Sequence, residues 1–251
     1  MTQDYFVEQL KQRFQGKESF TREELFNFYH RWDPQLNENT FRWRIYNLKE
    51  KKIIRALSKS EFSLSYKPEY RPEIDKRTKE IYSLVDREFP SLKKGIWSTR
   101  WVTEFMLHLP GGSWILLEVE KDSTESVFHF LKDSKYKEVF WQPEEKEIDR
   151  YISGSSQAII IKPLVSQAPL HKVRNVRIPR IEKILVDIFI EKHLFNVFQG
   201  KELSVIFNNV YNQYQVNFSK LMTYARRRGK EKELSEFISL KTDIPKNLFN
   251  D

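Results

Sequence analysis

Lysines and arginines crowd into one short stretch of the chain, NENTFRWRIYNLKEKKIIRAL, which runs from Asn37 to Leu57. Six of them lie between Asn39 and Arg55, where the only acidic residue is Glu50. Cationic side chains at this density neutralise the phosphates of DNA and release its counterions. The stretch therefore predicts contact with double-stranded DNA. The alternative is a basic helix face that meets only solvent or a protein partner.

Arginine and asparagine side chains in this stretch also suit direct reading of bases. A guanidinium fork fits the edge of guanine, and a carboxamide fits the edge of adenine. The candidate DNA-binding residues are Asn39, Thr40, Arg42, Arg44, Asn47, Lys51, Arg55 and Lys59.

Two carboxylates suggest a different chemistry at the end of the apolar segment SWILLEVE. Glu118 and Glu120 would offer oxygen ligands to Mg²⁺, as in a metal-dependent nuclease or a nucleotidyltransferase-like enzyme. The spacing Glu-Val-Glu-Lys differs from the acid-x-Lys pattern of the common nuclease fold, and acids at a strand end more often bridge to lysine. A metal-dependent enzyme that uses Glu118 and Glu120 is therefore the alternative function.

Other signatures of chemistry are missing from the sequence. The chain has no cysteine, its five histidines show no metal-ligand spacing, and it contains neither a Walker A motif nor a G-x-S-x-G elbow. We therefore expect no catalytic residue, no metal ligand and no cofactor, and a protein that is not an enzyme.

The elements around the basic stretch follow from its apolar spacing. Phe6, Leu10 and Phe14 predict a first helix. Thr21 and Glu24 predict a capping box that opens a second helix. Asn37 or Asn39 would cap the third, whose core positions are Phe41, Ile45 and Leu48.

Two short strands, in IIRAL and EFSLS, are expected after the third helix, with Ile54 and Phe62 as a cross-strand pair. Three helices followed by a hairpin are typical of a winged helix-turn-helix, in which the last helix enters the major groove. The stretch YNLKEKKIIRAL resembles the family pattern at the end of the recognition helix. Winged helices also serve as protein-binding adaptors, which is a third interpretation.

Prolines divide the chain. Pro68 and Pro72 stand among charged residues and predict an extended linker. We expect a winged-helix domain over residues 1–66, a linker over 67–76 and a second domain over 77–251. The fold class is α+β, because helices and strands alternate in the second domain before a helical C-terminal part.

The C-terminal part contains two motifs that resemble the AbiEi family of bacterial antitoxins. The first follows V-x-V-x-x-x-E-K-x-L-x-D and the second follows L-x-x-Y-A-x-R. The matching residues are Val176, Ile178, Glu182, Lys183, Leu185 and Asp187, then Leu221, Tyr224, Ala225 and Arg227 or Arg228.

The resemblance implies a regulator that represses its own operon through the winged helix. It further implies that the C-terminal domain counters a partner toxin of nucleotidyltransferase type, and it supplies no catalytic residue. Lys183 and Asp187, four residues apart on a helix, would form an ion pair. The three consecutive arginines Arg226 to Arg228 span about 300° of a helix and cannot share one face.

Bulk composition agrees with a basic, folded protein. The net charge is +8 over 251 residues, and aromatic residues make up 14%. No apolar run approaches the ~20 residues that a membrane helix needs. We expect a cytoplasmic protein that binds its own promoter DNA and does not bind a membrane.

Overall fold

The structure is a computed structural model that describes residues 3–64 and 67–249. Helices and strands are mixed in the chain, so the expected α+β class is confirmed. The end of the expected first domain, Tyr66, lies outside the described residues. Two separate hydrophobic cores form, one before and one after this point, except that Leu57 packs with the second core.

The described part of the N-terminal unit has three helices and three short strands. They are α1 (Gln3–Phe14), β1 (Phe20–Thr21), α2 (Arg22–His30), α3 (Glu38–Glu50), β2 (Arg55–Ala56) and β3 (Glu61–Ser63). The strands form an antiparallel sheet in the order β1-β3-β2.

Local sequence explains where the helices of this unit begin. Thr21 accepts a hydrogen bond from the Glu24 amide over 3.0 Å, and the Glu24 carboxylate accepts one from the Thr21 amide, so the capping box is confirmed. Asn37 caps α3, because its side chain accepts from the Thr40 amide over 2.9 Å. The expected apolar positions of α3 are buried, beside a stack of Phe14 on Phe20.

The register of the hairpin differs from the expected pairing of Ile54 with Phe62. Ala56 pairs with Phe62 instead. Ile54 lies before the strand because its amide, like that of Ile53, donates to the Leu48 carbonyl at the end of α3. The turn requires a left-handed backbone at Lys52, whose φ is 55°. Ile54 is nevertheless buried in the N-terminal core.

Residues 67–75, which make up most of the expected linker, have no regular secondary structure. They are packed against the protein. Tyr70 is buried, and its hydroxyl donates to the Trp101 carbonyl over 2.6 Å. The next helix begins after Asp75, whose carboxylate accepts from the Thr78 amide.

The second unit places helices around a four-stranded sheet and ends in a helical part. Its elements are α4 (Lys76–Glu88), β4 (Lys94–Ser98), β5 (Ile115–Val119), α5 (Thr124–Asp133), β6 (Val139–Trp141), α6 (Glu145–Glu147), β7 (Ile159–Pro163), β8 (Leu170–Val173), β9 (Val176–Pro179), α7 (Ile181–Ile190), α8 (Lys201–Gln213), α9 (Phe218–Arg227) and α10 (Glu231–Lys241).

The sheet order is β4-β5-β7-β6, with β5, β7 and β6 parallel and β4 antiparallel at one edge. The segment β5-α5-β6 is thus a βαβ crossover, and β7 lies between its two strands. The parallel register places Glu118 beside Lys162. Since both faces of the sheet are covered, the central strands are apolar along most of their length.

The stretch TRWVTEFMLHL forms a 3-10 segment over Thr99–Phe105, and the Ser98 side chain caps it by accepting from the Arg100 amide. The hairpin of β8 and β9 was not expected from the sequence, although Val176 and Ile178 of the first motif lie on β9. Both strands are only four residues long, which leaves little alternation to detect.

Backbone hydrogen bonds tie the two units together. The Phe218 amide at the start of α9 donates to the Leu57 carbonyl of the hairpin over 2.9 Å. The Gln215 amide donates to the Pro68 carbonyl over 2.9 Å, which holds the linker against the larger unit. The side chain of Asn247 donates to Glu61 on β3 over 3.0 Å.

Candidate nucleic-acid interface

Helix α3 has an outward face that is formed by residues out of phase with its core positions. Arg42 has a side chain that is 68% exposed, and Trp43 and Tyr46 are 61% and 57% exposed. Asn39 and Glu50 are exposed on the same side. We call Asn39, Arg42, Trp43, Tyr46 and Glu50 the outward face of α3.

The positive charge of Arg42 is partly offset by an acidic residue in the first turn of α3. Glu38 contacts Arg22 and lies 3.3 Å from Arg42 Nε. The hydrogen bond from Arg22, with a smaller contribution from Arg42, holds the pKa of Glu38 below its ordinary value. Among the described residues, the ion-pair partner of Arg42 is thus a solvent-exposed carboxylate, and such a contact is weak.

Arg44 lies on the side of α3 that faces α1. Its guanidinium lies 2.7 Å from Asp33 and 5.0 Å from the centre of the Tyr29 ring, and its side chain is only 26% exposed. Asn47 and Lys51 line the same groove between α1 and α3. The two arginines that the sequence pairs in one role therefore lie in different environments.

The other candidate DNA-binding residues also lie in different surroundings. Thr40 is half-buried and its amide is taken by the Asn37 cap. Lys59 is exposed at the turn of the hairpin, where Ser58 accepts from the Ser60 and Glu61 amides. Arg55 is only 6% exposed and points into the space between the two units rather than toward the outward face. DNA contact by the eight candidates stays a prediction, and Arg55 would have to leave its buried position to make one.

Sequence reasoning missed Trp43 and Tyr46 as surface residues. The available signal was their spacing, because positions three apart that fall between Phe41, Ile45 and Leu48 must face away from the core. Trp43 and Tyr46 thus place two exposed aromatic side chains next to Arg42 on the same face of α3.

A second group of charged residues is buried inside the larger unit. Glu118 of β5, Lys183 and Asp187 of α7, Tyr224 of α9 and Arg228 after α9 form what we call the buried charge cluster. The Lys183 ammonium lies 2.5 Å from both carboxylates, so the expected pair of Lys183 with Asp187 is confirmed. Arg228 lies 2.6 Å from Asp187.

The cluster joins residues of the two C-terminal sequence motifs. Asp187 of the first motif accepts from the Tyr224 hydroxyl of the second over 2.9 Å. Arg228, rather than Arg227, reaches Asp187. Arg226 pairs instead with Glu231 and Arg227 contacts Gln167, so the three arginines point in three directions, as expected. Gly229, with a φ of 67°, ends α9 directly after Arg228.

Burial and charge act in opposite directions within the cluster. Burial raises the pKa of Glu118 despite its contact with Lys183. Burial also opposes ionisation of Asp187, but Lys183, Lys162 and Arg228 outweigh it and hold the pKa of Asp187 below its ordinary value. At the edge of the cluster, Lys162 and Arg228 both contact the half-buried Glu191.

The alternative enzyme depends on Glu118 and Glu120, which lie in different surroundings. Glu118 is 2% exposed and paired with Lys183, whereas the side chain of Glu120 is 45% exposed and lies 3.6 Å from Lys93. Within residues 3–64 and 67–249, no group of three or more histidine, aspartate or glutamate side chains is arranged to hold a metal ion. A metal-dependent reaction at these two carboxylates stays a prediction.

No helix in the described part of the chain is both long enough and apolar enough to span a bilayer.

Comparison with known proteins gives a matching family whose function is unknown. No curated protein matches the chain. One family model, described as a family of unknown function (DUF6577), matches residues 40–244, from the first turn of α3 to the residues after α10. Because that match covers most of the sequence, the chain belongs to the DUF6577 family.

Proposed function

We propose that the protein is a DNA-binding transcriptional regulator whose N-terminal unit is a winged helix. The order of elements supports this, since helix, strand, helix, helix and hairpin follow one another and the strands pair as β1-β3-β2. In a winged helix the last helix enters the major groove and the hairpin lies against the backbone. Helix α3 and the β2–β3 turn would take these places.

The observation that carries the proposal is the outward face of α3. Arg42 projects into solvent beside Trp43 and Tyr46, clear of both hydrophobic cores. Arginine supplies charge and a fork for guanine, and an aromatic edge contacts the thymine methyl group. Lys59 at the hairpin turn adds a positive charge suited to a phosphate.

Salt-dependent binding to the DNA upstream of its own reading frame tests the proposal. Fluorescence anisotropy with a labelled duplex should show affinity falling steeply as salt rises, because counterions are released on binding. The variant that combines Arg42→Ala with Lys59→Ala should bind more weakly and with a smaller salt slope.

The matched control combines Lys146→Ala with Lys241→Ala, which removes the same charge from exposed positions of the larger unit. It should bind like the wild type. Equal loss of affinity in both double variants would show that only net charge matters, and the α3 interface would then be rejected.

We further propose that the regulator is of antitoxin type and represses its own operon. The two AbiEi-like motifs support this, together with the meeting of their residues in the buried charge cluster. In this proposal the larger unit counters a toxin of nucleotidyltransferase type, and the cluster stabilises that unit rather than catalysing a reaction.

Co-expression with the adjacent reading frame tests the antitoxin role. If that frame encodes a nucleotidyltransferase-like protein, its induction alone should arrest growth, and the regulator should restore growth. A growth arrest that persists when the regulator is present would reject the antitoxin role and leave the DNA-binding proposal to its own test.

A further inference from the structure

A deep cleft lies between the N-terminal unit and the larger unit. Its volume is about 710 Å³, within the range of roughly 300–1,000 Å³ that is typical of small-molecule sites. One wall comes from the end of α3 and from β2, and the other comes from linker residues 68–71, from β8 and from the starts of α7 and α9. The backbone bond from the Phe218 amide to the Leu57 carbonyl joins the two walls.

The lining of the cleft is strongly basic. Its lysines and arginines are Lys49, Lys52, Arg55, Arg71, Arg180 and Lys220. The acidic residues of the lining are Glu69 and Glu182. Burial raises the pKa of Glu182, whose carboxylate accepts from the Asn217 amide over 2.8 Å, so this acid offsets less of the positive charge.

Arg55 is the most informative residue of the lining. It is 94% buried, no acid pairs with it among the described residues, and its Nε has no hydrogen-bond partner there. An uncompensated buried guanidinium is costly unless an anion satisfies it. Arg55 therefore brings to the cleft a positive charge that no ion pair with a described acid offsets.

A second buried polar atom belongs to His171, which also lines the cleft. His171 Nε2 also lacks a hydrogen-bond partner in the part of the chain that the structure describes, while Nδ1 lies 3.6 Å from Glu69. Nearby, α7 begins at Ile181, and Arg180 before it provides no side-chain cap. The first amides of such a helix favour an anion, and here they add to the charge of Arg55 and Lys220.

We propose that this cleft binds a small phosphate-bearing ligand, held by Arg55 and Lys220 with His171 beside it. Arginine and lysine together suit a multiply charged phosphate group, which accepts several hydrogen bonds at once. A small molecule fits better than duplex DNA, because Arg55 is enclosed between the two units. The site stands independently of the proposed DNA binding, although Lys49 and Lys52 at the end of α3 line it.

Calorimetry with inorganic pyrophosphate at physiological ionic strength tests the site. Wild-type protein should bind pyrophosphate, and Arg55→Gln should weaken the affinity by roughly tenfold or more, because a charge-assisted contact is lost. Lys220→Gln should weaken it as well, and since Lys220 is exposed this variant is expected to fold normally. Lys241→Gln is the matched control and should bind like the wild type.

His171 provides a readout inside the cleft. Burial, together with Arg180, holds the pKa of His171 below its ordinary value, and Glu69 partly opposes this. A bound phosphate group stabilises the imidazolium, so NMR titration should show the pKa of His171 rising when pyrophosphate is added. The rise should be smaller in Lys220→Gln.

Two results would overturn the proposal. One is pyrophosphate binding that is absent, or that is unchanged in both Arg55→Gln and Lys220→Gln. The other is a loss of duplex affinity in those variants without any pyrophosphate binding by the wild type, which would assign the cleft to the DNA backbone.

Discussion

Tyr224 donates its hydroxyl to the Asp187 carboxylate over 2.9 Å and thereby joins α9 to α7 within the buried charge cluster. Tyr224→Phe removes this donor and leaves Asp187 with Lys183 and Arg228. We expect a loss of about 1–2 kcal/mol in the free energy of unfolding, because one buried charge-assisted bond disappears. Urea denaturation measures it, and Tyr46→Phe on the exposed face of α3 is the matched control. Equal midpoints for the two variants would show that the bond contributes nothing.

Lys183 is the central cation of the cluster, and its replacement should cost more. Lys183→Met leaves Glu118 and Asp187 close together in the interior without their shared ammonium. Removing one member of a buried ion pair costs about 3–5 kcal/mol. Thermal unfolding of Lys183→Met should therefore occur well below that of Lys241→Met, which changes an exposed lysine in the same way. A variant as stable as the control would contradict the role of the cluster in holding α7 against β5.

The free energy of unfolding should depend on pH because Asp187 has a different pKa in the folded and unfolded states. Its pKa is lowered in the folded protein, so the unfolded chain binds its proton at higher pH than the folded chain does. The stabilisation is thus present above the pKa of the unfolded state, near 3.9, and is lost as the pH falls through the folded pKa.

Asp187→Asn should consequently be less stable than the wild type at pH 7 and should lose less stability than the wild type between pH 5 and pH 3. The raised pKa of Glu118 acts with the opposite sign, and Glu118 is kept in both proteins. Urea midpoints across this range provide the measurement. Parallel curves would mean that Asp187 has the same pKa in both states.

Replacing Arg42 should affect DNA binding, whereas replacing Arg44 should affect the stability of the fold. Arg42→Ala should weaken DNA binding, by about 1–3 kcal/mol where a base contact is lost, and leave the melting temperature unchanged. Arg44→Ala should lower the free energy of unfolding by about 1 kcal/mol, because its ion pair with Asp33 and its contact with the Tyr29 ring are lost. The reverse pattern in anisotropy and thermal unfolding would place Arg44 at the interface instead.

Trp43 and Tyr46 supply a test of the outward face that is independent of net charge. Trp43→Ala and Tyr46→Ala should reduce duplex affinity without lowering the melting temperature, since both side chains are mostly exposed. Tyr5→Ala, at another partly exposed aromatic residue of the same unit, is the control. Unchanged DNA affinity in the two α3 variants would mean that these aromatic side chains bind something other than DNA.

Sequence patterns were sufficient for local features of the N-terminal unit. The capping box of Thr21 and Glu24 depends on residues three apart, and the buried face of α3 depends on a spacing of three and four. The pairing of Lys183 with Asp187 followed from the same helical period. These features depend on neighbours along the chain, whose geometry the helix fixes.

The hairpin register was not predictable in this way. Two short strands allow more than one pairing, and the choice depended on how the Ile53 and Ile54 amides close the end of α3. The β8–β9 hairpin escaped detection for a related reason, because strands of four residues carry little periodic signal.

The sequence by itself determined the mixed α+β class, the helix caps, the buried stripes and the concentration of positive charge around α3. Tertiary structure alone decided which charges remain outside. Arg42 projects into solvent, Arg44 is tied to Asp33, and Arg55 is enclosed between the units. It also brought Glu118 to Lys183 and Tyr224 to Asp187. Helical and strand periods fix only the direction of a side chain on its own element, whereas partners from distant segments are set by how those elements pack.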